Sequence, residues 1–160
     1  MAAALAAGAD ARRHAERSTG LSGVQYDAPP PNFTLDLGSG PTSLAALAGR
    51  PVLINFWASY CEPCTEELPT FEKIRRTYGE RVRIITLSNE GDGAREYLAA
   101  HHYDLPLVDD RENVVWKKYG VMPIPTTILL RPNGTVRYVT IGKTAYDEFS
   151  GLLGSPGEGG

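Results

Sequence analysis

Asn55-Phe56-Trp57-Ala58-Ser59-Tyr60-Cys61-Glu62-Pro63-Cys64 is the stretch that decides how this chain of 160 residues is interpreted. It holds both cysteines of the chain, at the point where a nearly continuous apolar strand gives way to a predicted helix. Residues at i and i+3 of a helix are neighbours, so the two thiols are close enough to form a disulfide. The free N–H groups and the positive end of the helix dipole favour a thiolate at Cys61. Pro63 fits the first helical turn, where its missing N–H costs little.

This spacing predicts a redox site. The thiolate is the form that attacks a disulfide, so Cys61 is the expected nucleophile and Cys64 the more buried resolving thiol. The charged residues between 55 and 69 are all acidic (Glu62, Glu66 and Glu67), and they oppose a further negative charge on sulfur. We therefore expect a mild site whose disulfide is reducing in character.

A zinc site and a pair of inert thiols are the two other interpretations of the cysteine pair. A zinc site needs two more ligands, and the adjacent pair His101-His102 lacks the separation of a closed structural site. Inert thiols are less typical of a C-x-x-C motif beside a β-α-β pattern. We expect neither a metal nor a bound cofactor.

Composition and length exclude several classes of protein. A net charge of −3 argues against a nucleic-acid partner, and two cysteines exclude a disulfide-rich scaffold. The length suits one domain with a proper core. No stretch approaches the ~18–20 apolar residues that cross a bilayer, and Met1 to Ala9 lacks the basic start of a signal peptide.

Strand and helix patterns alternate along the chain and predict an α/β fold with a mixed sheet. The predicted strands are 33–37, 52–57, 82–88, 105–108, 126–130 and 135–141, and the predicted helices are 62–78, 92–101, 109–119 and 144–153. Residues 1–28 are predicted as a flexible lead-in and linker, 29–153 as the folded domain and 154–160 as a flexible tail.

The motif resembles the active-site segment of thioredoxin-like proteins. Pro69, five residues after Cys64, stands at the place of the helix-kinking proline of that family. Pro123-Ile124-Pro125-Thr126-Thr127 resembles the segment in which a cis-proline faces the cysteines. The resemblance implies a thioredoxin-like fold, a cis peptide bond before Pro125 and an Ile124 backbone free to pair with an extended substrate. It also implies that Trp57 packs under the site.

More narrowly, residues 29–35, 43–51 and the extra segment 89–119 resemble the TlpA/ResA-like (DsbE-type) branch. That resemblance implies a central mixed sheet flanked by helices, with an N-terminal strand extension and a central insertion. It implies a reductant that exchanges a dithiol with protein partners and is recharged by an upstream redox partner, in cytochrome c maturation or envelope redox homeostasis. It further implies a soluble, monomeric domain in an extracytoplasmic compartment, with room for a membrane tether outside this sequence.

Two positions depart from the family pattern. Tyr60 stands where tryptophan is usual, and Asn55 stands where thioredoxins carry a buried acid. Asn cannot titrate, so the resemblance points to Glu90, after the next strand, as the acid near the cysteines. A carboxyl in an apolar cleft has a raised pKa and passes protons to or from Cys64.

Two further functions remain as alternatives. A peroxiredoxin-like thiol peroxidase wants a Pro-x-x-x-Thr-x-x-Cys arrangement and a nearby Arg, whereas Ala58-Ser59-Tyr60 precede Cys61 here. A non-catalytic binding module of the same fold is disfavoured by the intact cysteine motif and Pro125.

Overall fold

The computed structural model describes residues 17–156. The described part contains seven strands, four helices and two short 3₁₀ turns, Ala45–Leu47 and Gly79–Arg81. The strands are β1 (Thr34–Asp36), β2 (Pro41–Ser43), β3 (Val52–Phe56), β4 (Arg83–Ser88), β5 (Leu107–Asp109), β6 (Thr126–Leu130) and β7 (Val136–Ile141). The helices are α1 (Glu62–Tyr78), α2 (Asp92–Ala100), α3 (Val114–Tyr119) and α4 (Tyr146–Leu153).

Five strands form one mixed sheet in the order β5-β4-β3-β6-β7. β3 and β4 are parallel, as are β4 and β5, while β6 runs antiparallel to both β3 and β7. β1 and β2 form a separate antiparallel pair. The predicted mixed α/β sheet and the thioredoxin-like fold are therefore confirmed.

This topology brings three connections to one edge of the sheet. The carboxyl ends of the parallel strands β3 and β4 lie there together. β6 starts at the same edge because Thr126 pairs with Phe56 in antiparallel register. The segments after β3, after β4 and before β6 carry the cysteine motif, Glu90 and Pro125, so the fold assembles the predicted site residues from distant parts of the sequence.

Apolar side chains cover both faces of the sheet, as the unbroken hydrophobic run of β3 predicts. On one face Phe56 packs edge-on against Trp116 of α3, with ring centroids 5.0 Å apart. The other face packs against α1, α2 and α4, where Leu68, Phe71 and Phe149 are fully buried. Burial on both faces stabilises the sheet and fixes the direction in which α1 leaves it.

The N-terminal segment corrects the predicted linker. Leu21 and Val24 are buried in the core, and the Gly23 N–H donates to the Tyr119 carbonyl at 3.2 Å. The Val136 N–H donates to the Ala28 carbonyl at 2.9 Å. Residues 18–28 are thus part of the folded unit. The predictions for 1–16 and 157–160 lie outside the described residues.

The helix predicted over 109–119 is shorter in the structure and begins at Val114. The buried carboxylate of Asp110 accepts hydrogen bonds from the N–H groups of Val114, Val115 and Trp116, at 2.9, 3.2 and 2.9 Å. A carboxylate on these free amides stabilises the helix start. Between residues 17 and 156 the structure has no helix of the length and apolarity that a membrane crossing requires.

Candidate active site

Cys61 and Cys64 form a disulfide at the start of α1, with Cα atoms 5.2 Å apart. Cys61 stands just before the helix in extended backbone, and Cys64 lies in its first turn. The Cys64 side chain is buried, whereas Cys61 is partly exposed. A partner disulfide therefore reaches Cys61 first, which is the order expected of an attacking and a resolving thiol.

A tight turn delivers Cys61 to this position. The Cys61 N–H donates to the Ala58 carbonyl at 3.2 Å, and the Thr65 N–H donates to the Cys61 carbonyl at 3.0 Å. Tyr60, at the tip of the turn, is 75% exposed. Glu62 and Pro63 are also exposed, so the rim beside Cys61 is open to a partner.

The Ile124–Pro125 peptide bond is cis, as the family resemblance implies. Cys61 Sγ lies 3.8 Å from the Ile124 carbonyl oxygen, so the structure brings these two predicted site residues together. The Pro125 carbonyl accepts a hydrogen bond from the Gly142 N–H at 2.8 Å, which fixes the segment from its far side. Met122, three residues earlier, is 86% exposed.

Trp57 lies on the α1 side of the sheet and is fully buried. Its ring meets Tyr97 of α2 edge-on, with centroids 6.0 Å apart. Its backbone N–H donates to the Leu87 carbonyl at 3.0 Å, which continues the pairing of β3 with β4 past the end of the strand. Trp57 thus packs in the same core cluster as Cys64 and forms part of the floor of the site.

Glu67 is the residue that sequence reasoning missed. It follows Cys64 by one helical turn, and it is 1% exposed. The Asn55 side-chain amide donates to its Oε1 at 3.1 Å, and the Thr144 N–H donates to its Oε2 at 2.6 Å. Burial raises the pKa of Glu67 to about 7, against the opposing effects of these two hydrogen bonds and of Lys143.

The sequence did contain a signal for Glu67. Positions 64, 67, 68, 71 and 74 share one face of α1, and apolar residues occupy the others. Because this face of α1 packs against the core, an acid on it is buried. Glu62 and Glu66 lie off this face and are exposed. Glu66 forms an exposed ion pair with Lys143 at 2.8 Å.

The structure places Glu90 beside the turn that precedes Cys61. Its Oε2 accepts a hydrogen bond from the Ser59 N–H at 2.9 Å. This contact is to the backbone two residues before Cys61. The expected proton transfer between Glu90 and Cys64 stays a prediction.

His101 and His102, the alternative zinc ligands, are both exposed. The His101 ring stacks on Tyr97, with ring centroids 4.0 Å apart, and on Tyr103, with ring centroids 5.8 Å apart. Across residues 17–156 there is no group of three or more His, Cys, Asp or Glu side chains that could hold a metal ion.

Comparisons with known proteins agree with this geometry. Residues 26–139 match the sequence model of the AhpC/TSA family. The thiol-disulfide oxidoreductase ResA of Halalkalibacterium halodurans is 36% identical over 87% of this chain and 81% of its own length. The crystal structure of StoA from Bacillus subtilis superposes with a TM-score of 0.67 at 25% identity, covering 79% of this chain and 99% of that one. A putative thiol:disulfide interchange protein DsbE from Chlorobium tepidum gives a TM-score of 0.72 at 24% identity, over 82% and 99%.

Proposed function

Because the chain belongs to the AhpC/TSA family and is a thiol–disulfide oxidoreductase, we propose that its Cys61–Cys64 pair acts as a reductant of disulfides in protein partners. The observation that carries this proposal is the pairing of a partly exposed Cys61 with a buried Cys64, at an open rim formed by Tyr60 and the Ile124–Pro125 segment. A partner segment laid along Ile124 brings its sulfur to Cys61, whose Sγ is 3.8 Å from the Ile124 carbonyl.

The reaction begins from the dithiol form. The Cys61 thiolate attacks one sulfur of the partner disulfide, a mixed disulfide forms, and the other partner sulfur leaves as a thiolate that takes up a proton. Cys64 then loses its proton and attacks Cys61 Sγ, which releases the second partner thiol. Two electrons pass to the partner, and an upstream dithiol restores the reduced enzyme.

Glu67 is the group we propose to carry the proton of Cys64. It is buried on the same helix one turn from that cysteine, in the same core region. A carboxyl with a pKa of about 7 is present in both forms near neutral pH, so it can accept a proton from a thiol and return it. Asn55 and the Thr144 N–H hold the two oxygens in place.

We propose a reducing role because the charged residues of the segment that carries the cysteines, 55–69, are all acidic. Glu62 and Glu67 disfavour a thiolate on the reduced enzyme, and Lys143, the cation nearby, is paired with Glu66. A less stabilised reduced form makes the dithiol a better electron donor.

The family resemblance supports an extracytoplasmic compartment, with a client in cytochrome c maturation or in envelope redox homeostasis. We expect the partners to be proteins, and the open rim suits an extended polypeptide. The charge of −3 supports the absence of a nucleic-acid partner.

Insulin reduction driven by dithiothreitol tests the proposal. The parent protein should accelerate it, Cys61→Ser should be inactive, and Cys64→Ser should stall as a mixed disulfide that mass spectrometry identifies. Equal rates for the parent and Cys61→Ser would favour a binding module. Hydrogen peroxide consumption, measured in parallel, would favour the peroxidase alternative if it depended on Cys61.

A further inference from the structure

Three residues from separate segments meet at the turn that carries the disulfide. Ser59 belongs to the turn, Glu90 follows β4, and Gly93 lies in the first turn of α2. The Ser59 N–H donates to Glu90 Oε2 at 2.9 Å across 31 positions of sequence. The mechanism above uses none of these contacts.

The turn is held from two sides. From within, the Cys61 N–H donates to the Ala58 carbonyl at 3.2 Å. From outside, Glu90 receives the N–H of Ser59, the residue inside that turn. The outer contact ties the turn to a residue that follows the neighbouring strand, so it anchors the turn to the sheet.

Gly93 makes room for the Glu90 carboxyl group. A Cβ at position 93 would lie 3.0 Å from Glu90 Oε1, 3.3 Å from its Cδ and 3.6 Å from Ser59 Oγ. Oε1 is buried and has no hydrogen-bond partner among residues 17–156. The carboxyl is therefore confined between the start of α2 and the turn, with its accepting oxygen directed at Ser59.

We propose that Glu90 is a positioning residue, which anchors the Ala58–Cys61 turn through Ser59 and thereby sets Cys61 Sγ opposite the Ile124 carbonyl. Gly93 is its partner in this role, because a Cβ at position 93 would push the carboxyl by a few tenths of an ångström. The inference rests on the proposed disulfide exchange, in which the sulfur of Cys61 must meet a partner sulfur in line. A displacement of about 1 Å at a reacting atom can cost about a hundredfold in rate.

Positioning and proton transfer make opposite predictions for a glutamine at this site. The side chain of Glu90→Gln keeps a carbonyl oxygen that can accept the Ser59 N–H, but it cannot exchange a proton. Glu90→Leu keeps the approximate bulk and removes the acceptor. If Glu90 positions Cys61, the glutamine variant retains the activity and the leucine variant loses it.

The experiment uses the full chain and four variants: Glu90→Gln, Glu90→Leu, Gly93→Ala and the control Glu96→Leu, an exposed residue of the same helix as Gly93. Each variant is assayed for the pH dependence of insulin reduction, for kcat and KM separately, for thermal unfolding and for hydrogen exchange of the Ser59 amide. Glu90→Leu should exchange at Ser59 at least about tenfold faster and lose between about tenfold and a hundredfold in kcat/KM. Glu90→Gln should stay within about threefold of the parent with the same pH profile.

Gly93→Ala keeps the proposal testable even if Glu90→Leu fails to fold. Alanine is the better helix former, so this variant should unfold no earlier than the parent while it loses activity and Ser59 protection. Unchanged activity and protection in Gly93→Ala and Glu90→Leu would overturn the proposal, as would a shifted pH profile in Glu90→Gln. Failure of the proposed function is separate, since the parent would then lack Cys61-dependent turnover while the Ser59 exchange result still stood.

Discussion

The side-chain amide of Asn55 donates a hydrogen bond to the buried carboxyl of Glu67 at 3.1 Å. Asn55 lies on β3, at the position where the family resemblance implies a buried acid. Asparagine cannot titrate, and Glu67 supplies a carboxyl from the facing helix. The same amide donates to Thr127 Oγ1 at 3.0 Å, so Asn55 is held while it orients the acid. The buried carboxyl that meets Asn55 of β3 is therefore supplied by α1.

The first prediction concerns the pH dependence of resolution. Above a pH of about 7 Glu67 is a carboxylate that accepts the proton of Cys64, so the rate of mixed-disulfide resolution should rise through pH 7. Glu67→Gln should lose this inflection and be about a hundredfold slower at pH 8. Stopped-flow decay of a mixed disulfide with a fluorescent peptide measures it.

The neighbouring residue gives the matched control for that experiment. Glu66 carries an equal charge on the same turn but is exposed and paired with Lys143. Glu66→Gln should keep the inflection, shifted by a few tenths of a unit at most because exposed pairs interact weakly. An inflection that survives in Glu67→Gln would assign the proton to another group.

The second prediction concerns stability. The folded pKa of Glu67, about 7, lies above its ordinary value of 4.5, so the folded state binds the proton more tightly than the unfolded state. Its contribution is therefore fully present below a pH of about 4.5 and is lost as the pH rises through 7. From pH 4 to pH 8 the oxidised parent should lose up to about 3 kcal/mol relative to Glu67→Gln, since one pKa unit corresponds to about 1.4 kcal/mol. Urea unfolding of both proteins at matched pH values measures the difference, and a pH-independent difference would contradict it.

The elements around the disulfide could be predicted because their signals are local. The unbroken apolar run of β3 and the periodic face of α1 read directly from the sequence. β1 lies within the predicted strand 33–37, whereas β2 was not predicted, since it has three residues and is fixed by its pairing with β1. Residues 18–28 were also misassigned, because Gly20 and Gly23 and the prolines that follow at 29–31 indicate a linker, while Leu21 and Val24 supply the buried contacts.

The residues of the site also fall into those that a local motif predicts and those that depend on the fold. Cys61, Cys64 and Pro125 belong to motifs of fixed spacing, so the sequence predicts them as site residues, and the structure shows the disulfide and the cis bond that involve them. Glu67 was grouped with Glu62 and Glu66 as an acid that opposes negative charge on sulfur, although its place on the buried face of α1 decides its pKa. The partner of Glu90 depends on how the strands align at the sheet edge, which no local pattern encodes.

The third prediction tests whether residues 18–28 belong to the domain. A Cβ at Gly23 would lie 1.8 Å from the Lys118 carbonyl oxygen, a backbone atom that cannot swing away. Gly23→Ala should therefore destabilise the protein by about 2–3 kcal/mol. Gly151→Ala is the control, because a Cβ there meets nothing within 4 Å and alanine suits the helix. Equal unfolding midpoints for the two variants would mean that the N-terminal segment detaches without cost.

The fourth prediction concerns the rim that receives the client. Tyr60 and Met122 are 75% and 86% exposed, and they precede Cys61 by one residue and Ile124 by two. Large apolar side chains that stay in water beside a reactive sulfur gain free energy when a protein partner covers them. Tyr60→Ala and Met122→Ala should each raise KM for a protein disulfide about threefold to tenfold, equivalent to about 0.6–1.4 kcal/mol, and leave kcat nearly unchanged.

A small disulfide separates client binding from chemistry at the same rim. Reduction of 5,5′-dithiobis(2-nitrobenzoate) needs Cys61 but covers little of the rim, so both variants should retain the parent rate with it. Val114 is a matched control, since it is 51% exposed and lies at the start of α3, before the segment that holds Met122. Val114→Ala should leave KM unchanged with either substrate. A parallel loss with the small disulfide would place Tyr60 and Met122 in the chemical step, because an effect confined to binding must vanish when the covering partner is removed.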